Sequence, residues 1–129
     1  SVMEPLVLKS SYNSPEVSFN PQSGILEISG RSIPEHANMF YDRLIMWVKE
    51  YAIAPASKTE VNIKLDYLNS SSHKYLIELL EKLEPIHING HQIFVNWHYE
   101  EDDDEIKETG VECSELVKVP FKFIPVAVE

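Results

Sequence analysis

The sequence predicts one α/β domain with the element order β-β-α-β-α-β-α-β, its strands in a mixed sheet and its helices mainly on one face. Three observations carry this. Residues 60–68 alternate, with Val61, Ile63, Leu65 and Tyr67 set against Asn62, Lys64 and Asp66, the pattern of a strand with one buried and one wet face. Two later segments repeat apolar residues at helical spacing. Helices alternating with strands imply right-handed crossovers between parallel strands. At 129 residues and 43% hydrophobic composition, the chain suffices for one core and not for two ordinary domains.

The first strand is expected around Val17 and Phe19, which alternate with Glu16 and Ser18. Asn20-Pro21-Gln22-Ser23-Gly24 is turn chemistry, and Ile25–Ser29 returns as the second strand of a hairpin. Gly30 to Pro34 reads as a break. A helix from about Glu35 to Tyr51 is predicted by the stripe Ala37, Phe40, Leu44, Trp47, Val48 and Tyr51, with Pro34 and Glu35 suited to its start. After the strand at 60–68, Asn69-Ser70-Ser71-Ser72 opens a second helix striped by Leu76, Leu79, Leu80 and Leu83 and fading near Pro85. Asn89-Gly90 is a turn. His91–Tyr99 forms the next strand, with Ile93, Val95 and Trp97 on one face. Glu100–Glu105 leads into a third helix with Ile106, Cys113, Leu116 and Val117 inside, and Pro120–Ile124 closes the sheet. The expected division is an N-terminal extension at 1–13, the domain at 14–125 and a C-terminal tail at 126–129.

Charge narrows the function. Eleven Lys and Arg against 21 Asp and Glu give −10, which argues against nucleic acid and against an anionic membrane surface. No apolar run approaches the roughly 18 residues of a membrane span. Ser1–Pro5 has no basic region leading into an apolar stretch, so no secretory signal is expected. One cysteine, Cys113, permits no internal disulfide and suits a reducing compartment. A cytoplasmic protein is the expectation.

The residues that could carry chemistry are few. The junction at Asn69–Ser72 lies at the C-terminal end of a strand and opens a helix, where α/β sheets place function and where free N–H groups meet the positive end of the helix dipole. A phosphoryl group on a serine there would add about −1.5 to −2 charges, with His73 beside the cluster and Lys74 positioned to offset part of the charge. The ordinary reading is that Asn and Ser are common N-caps. The acidic run Glu100–Glu105 lacks the spacing and the glycine of a calcium loop and reads as a solvated helix start. His36, His73, His87, His91 and His98 form no zinc spacing, and no cofactor is expected. Cys113, Trp47 and Trp97 read as packing residues, and the four glycines make no nucleotide-binding motif.

Several segments together resemble the SiaC-type regulatory phosphoprotein family of bacteria. They are Gly30-Arg31-Ser32-Ile33-Pro34-Glu35 with Phe40-Tyr41 and Trp47; Tyr67-Leu68-Asn69-Ser70-Ser71-Ser72 with Lys74; Trp97-His98-Tyr99-Glu100 with Asp102-Asp103; and Pro120-Phe121. They run in the family's order from roughly Ser14 to Ile124. The resemblance implies a fold like the STAS domains of anti-anti-sigma factors and a switch rather than an enzyme. A serine/threonine kinase would phosphorylate the strand-to-helix junction, and a PP2C-type phosphatase would reverse it. The unphosphorylated form would bind a target such as a diguanylate cyclase. The acceptor falls on Ser70, where the family often has Thr, with Asn69, Ser71 and Ser72 matching around it. Ile33 and His36 depart from the Tyr and Asn common in the family.

Two other functions compete with that switch. A domain of the same architecture could bind a small anionic ligand at the same helix N-terminus. An enzyme could use Asp102 and Asp103 with a divalent ion.

Overall fold

Six strands lie side by side in the order in which they occur along the chain, and this sequential order decides where everything else goes. The computed structural model describes residues 3–128. Its elements are β1 (Leu6–Leu8), β2 (Glu16–Asn20), β3 (Ile25–Ser32), α1 (Ala37–Tyr51), β4 (Lys58–Leu68), α2 (Ser70–Glu81), α3 (Glu84–Ile88), β5 (Gln92–Glu100), α4 (Asp104–Leu116) and β6 (Phe121–Val126). β1, β2 and β3 pair antiparallel, and β3 to β6 run parallel. Three right-handed crossovers that all step in the same direction must leave their helices on the same face. α1 packs against α2 and α2 against α4, as that geometry requires.

The core lies between this helical layer and the sheet. Val17, Phe19, Leu26, Ile28, Val61, Ile63, Leu65, Ile93, Val95 and Trp97 point inward to meet Tyr41, Leu44, Val48, Leu76, Leu79 and Leu80. Among the described residues, the opposite face of the sheet carries no helix and is polar. There Asn96 Nδ2 donates to Asn62 Oδ1 at 2.9 Å, Asn62 Nδ2 donates to Glu60 at 3.0 Å and Glu27 at 3.3 Å, and Lys64 lies 3.5 Å from Glu27. These bonds satisfy the buried Asn62 amide.

The structure departs from the sequence reading at several places, each with a local cause. Leu6–Leu8, inside the stretch read as an N-terminal extension, adds the edge strand β1. Three residues carry too little pattern to signal a strand, and the segment is held by tertiary bonds, among them Trp47 Nε1 donating to the Glu4 carbonyl at 2.8 Å. β3 does not break at Gly30 but continues to Ser32 through a bulge. Gly30–Arg31 spans Leu65–Tyr67 on β4, so Asp66 is the unpaired extra residue. Gly30 has φ +108°, a conformation open to glycine. The extra residue ends the alternation of β4, leaving Tyr67 51% exposed rather than inward. Pro85 does not end the second helix; it lies in the first turn of the short α3, where its missing N–H costs nothing. The element order is therefore β-β-β-α-β-α-α-β-α-β, with one strand and one helix more than expected. The first helix begins at Ala37, two residues later than expected, and Leu116 is exposed at the end of α4.

Candidate functional site

The parallel strands β4 and β5 end at the same edge of the sheet, and each passes directly into a helix. At the first junction Asn69 is extended (φ −86°, ψ 173°) and is the N-cap of α2. Its Oδ1 accepts from the Ser72 N–H at 2.9 Å and from the Ser71 hydroxyl at 3.2 Å. No acidic residue occupies the first turn of α2. The positive end of this helix therefore has no carboxylate against it from its own turn.

The three serines differ sharply in environment. Ser72 is 0% exposed, while Ser70 and Ser71 are exposed. Among the described residues the Ser70 hydroxyl makes no side-chain hydrogen bond, whereas the Ser71 hydroxyl is committed to Asn69. Beneath them runs a buried chain of hydroxyls. Ser32 Oγ donates to Ser72 Oγ at 2.9 Å and lies 2.7 Å from the Tyr41 hydroxyl. Ser32 has one proton, so the Tyr41 phenol is the donor to Ser32. Burial pushes the Tyr41 phenol above its usual pKa, against the opposing pull of its bonds with Ser32 and Ser72, and so keeps it a neutral donor. The Asn69 N–H also donates to the Ser32 carbonyl at 3.1 Å. The bulge in β4 lets Ser32 pair with Leu68, one residue before the cap. The end of β3, α1 and the start of α2 are thus tied together under the exposed serines.

In the sequence Ser32 and Tyr41 stand only within a segment that resembles the family, with no role of their own. Tyr41 lies four residues after Ala37 and three before Leu44, so helical spacing could have placed it on the buried stripe, which was read through Phe40 instead. The hydrogen-bonding role of Ser32 had no local signal, because it depends on a bulge formed with another strand.

The remaining residues of the predicted surroundings lie along α2. His73 is half-buried, with Nε2 3.9 Å from the Glu112 carboxylate, beyond hydrogen-bond reach. Lys74 is exposed, its ammonium 6.0 Å from the Tyr75 ring centre, and Tyr75 stacks on Tyr41 at 6.1 Å. A wide groove of about 640 Å³ runs past Ser70, His73, Lys74, Glu78, Glu81 and Lys82. Its two lysines are matched by two glutamates, a poor receptacle for a free anion.

The second junction sits beside the first, and a small cavity of about 50 Å³ is lined by Tyr67 and Leu68 from one and Asp103 and Ile106 from the other. Asp103 caps α4, its Oδ1 accepting from the Ile106 N–H at 3.0 Å, and Asp104 and Glu105 fill the first turn. This is the acidic run of the sequence, serving as a charged helix start. On the open face at the same edge, His98 Nε2 is buried without a partner. Burial lowers the His98 pKa and Lys64 lowers it further, with Glu27 and Glu60 opposing. Cys113, on the inner face of α4, is fully buried, and burial, aided by Glu112, pushes its thiol up to about 12, which makes it a packing group. Among the described residues, no three His, Cys, Asp or Glu side chains gather in a way that could hold a metal ion, and no helix is long and apolar enough to cross a membrane.

The SiaC family of regulatory phosphoproteins matches residues 8–126, and the chain belongs to that family. An uncharacterised protein of Pseudomonas aeruginosa strain UCBPP-PA14 is 29% identical over 119 residues, which is 92% of this chain and 94% of that protein. Among solved structures, apo-SiaC from Pseudomonas aeruginosa is 29% identical, with a TM-score of 0.85 over 95% of this chain and 99% of its own. A chain from the complex of the diguanylate cyclase SiaD with its activator SiaC, from the same organism, is 27% identical, with a TM-score of 0.87 over 94% of this chain and 99% of its own.

Proposed function

We propose that this SiaC-family chain is a non-enzymatic signalling switch whose state is the charge on Ser70. A serine/threonine kinase adds the phosphate in the cytoplasm and a PP2C-type phosphatase removes it. The unphosphorylated form binds and regulates a target, and the SiaC–SiaD complex favours a diguanylate cyclase as that target. The one-sided helical layer on a sequential sheet supports a likeness to the STAS domains of anti-anti-sigma factors. One observation carries the choice of acceptor. Of the three junction serines, Ser70 alone has a hydroxyl that is both exposed and uncommitted, while Ser71 is bonded to Asn69 and Ser72 is buried.

The physics of the switch follows from its surroundings. A phosphate on Ser70 carries about −1.5 to −2 charges. It meets a helix start with no acidic residue in its first turn and with Lys74 nearby, so α2 accepts it without unfolding. The Tyr41–Ser32–Ser72 chain beneath is untouched. What changes is the surface offered to a target, which now has to bury an unpaired dianion at a cost of several kcal/mol.

The test is phosphopeptide mass spectrometry on protein isolated from its source organism, covering Leu65–Lys74. The expected result is phosphate on Ser70 that accumulates when the PP2C-type phosphatases are deleted. An unmodified peptide in both backgrounds, at full coverage, would reduce the serines to a helix cap and turn attention to an anionic ligand.

A further inference from the structure

The outward face of α1 has an apolar stripe that none of the described residues covers. Met39 and Met46 stand 67% and 71% exposed, and Ile53, carried on by the turn after the helix, stands 84% exposed. They are seven residues apart, close to two helical turns, and so form one line opposite the buried face of Tyr41, Leu44, Ile45 and Val48. Asp42 and Lys49 flank one side of this line, and Arg43 and Glu50 flank the other. All four are exposed, and among the described residues none is in an ion pair.

We infer that α1 is a self-association surface on which two copies pair antiparallel about a two-fold axis at Met46. The pattern is self-complementary under that operation. Met46 meets its own copy, and Met39 meets the second copy's Ile53. Arg43 precedes the axis by three residues and Glu50 follows it by four. Each Arg43 therefore falls within about 1.5 Å, along the helix, of the second copy's Glu50. Asp42 and the second copy's Lys49 are related in the same way on the other flank. Four ion pairs and a continuous apolar seam follow from a single symmetry operation, as an isologous interface requires.

A parallel pair would also match charges, through Arg43 with Asp42 and Glu50 with Lys49. It would, however, bring both copies' acidic 100–105 loops to the same end, because α1 starts at the edge of the sheet where β5 ends. The antiparallel pair separates those loops and opposes the two helix dipoles. One helix face per copy lies at the small end of specific interfaces, so the dimer is weak and concentration-dependent.

Sedimentation velocity of the full chain, from low to high micromolar concentration, tests this. The expected result is a monomer–dimer equilibrium. Met46→Glu, which sets two carboxylates on the axis, weakens it about 100-fold with unchanged melting temperature, since the side chain is exposed. Arg43→Glu alone weakens it, and Arg43→Glu with Glu50→Arg restores it, because both exchanged pairs are again attractive. A chain that is monomeric at every concentration, or a dimer indifferent to Met46→Glu, overturns the proposal. A double exchange that stays monomeric overturns it as well, since exchange in a parallel pair creates repulsion. None of these readouts depends on the phosphorylation of Ser70.

Discussion

The starts of α2 and α4 form a natural comparison. Both follow the C-terminal ends of neighbouring parallel strands, and both are capped by a side-chain oxygen that accepts from the N–H three residues on. They differ in what fills the first turn and in what lies beneath. α4 has Asp103, Asp104 and Glu105, so its dipole is already opposed by fixed charge. α2 has neutral Asn69 and three hydroxyls. α4 rests on the Trp97 indole, whose Nε1 donates to the Ile106 carbonyl at 3.0 Å, with Gly110 against the ring. α2 rests on the polar Tyr41–Ser32–Ser72 chain. One junction is permanently charged and seated on an aromatic ring. The other is neutral and seated on hydroxyls, and would change charge only through the phosphorylation of Ser70 proposed above.

Four experiments press on this contrast. The largest effect belongs to the switch proposed at Ser70. Phosphorylated Ser70 should bind the target about 100-fold more weakly than the unmodified chain. Ser70→Ala should bind as tightly as unmodified protein, and Ser70→Asp should fall between, as isothermal titration calorimetry would show. Equal affinity for all forms would remove the functional difference between the two helix starts.

Next in size is the seat of α4. A Cβ on Gly110 would come within 2.5 Å of the buried Trp97 ring, so Gly110→Ala should lower stability in urea unfolding by about 1–3 kcal/mol. A neutral outcome would mean that α4 slides freely over the ring. Beneath α2, Tyr41→Phe removes the donor to Ser32 and should lower stability by about 1–2 kcal/mol, with loss of hydrogen-exchange protection at the start of α2. The smallest effect sharpens the electrostatic half. Asn69→Asp should stabilise by about 0.3–1 kcal/mol and Asp103→Asn should destabilise by a similar amount, both diminishing in high salt.

Much of this contrast was legible in the chain itself. Asn69-Ser70-Ser71-Ser72 after an alternating strand announces a neutral cap, and Glu100–Glu105 announces a charged one. The alternation of Val61, Ile63 and Leu65 and the stripe of Leu76, Leu79 and Leu80 placed the sheet and α2, because strand and helix periods differ and need no partner to be read. Tyr67 was misread for the opposite reason. Its face depends on a bulge formed with β3, and a strand's own pattern does not report where its neighbour slips. β1 was missed because three residues pair only once β2 is in place.

The sequence by itself determined the class of fold, the capped junction at Asn69 and the net charge of −10, since each rests on local spacing or on composition. Only the tertiary structure decided which serine is free. Ser70, Ser71 and Ser72 are the same residue in a row. Ser71 is held by its neighbour Asn69, and Ser72 is set apart by the buried Ser32 hydroxyl, 40 positions away in the chain and 2.9 Å away in space, whose own place depends on the slip between two strands. Burial is a property of the assembled layers, and no local pattern of three identical side chains encodes it.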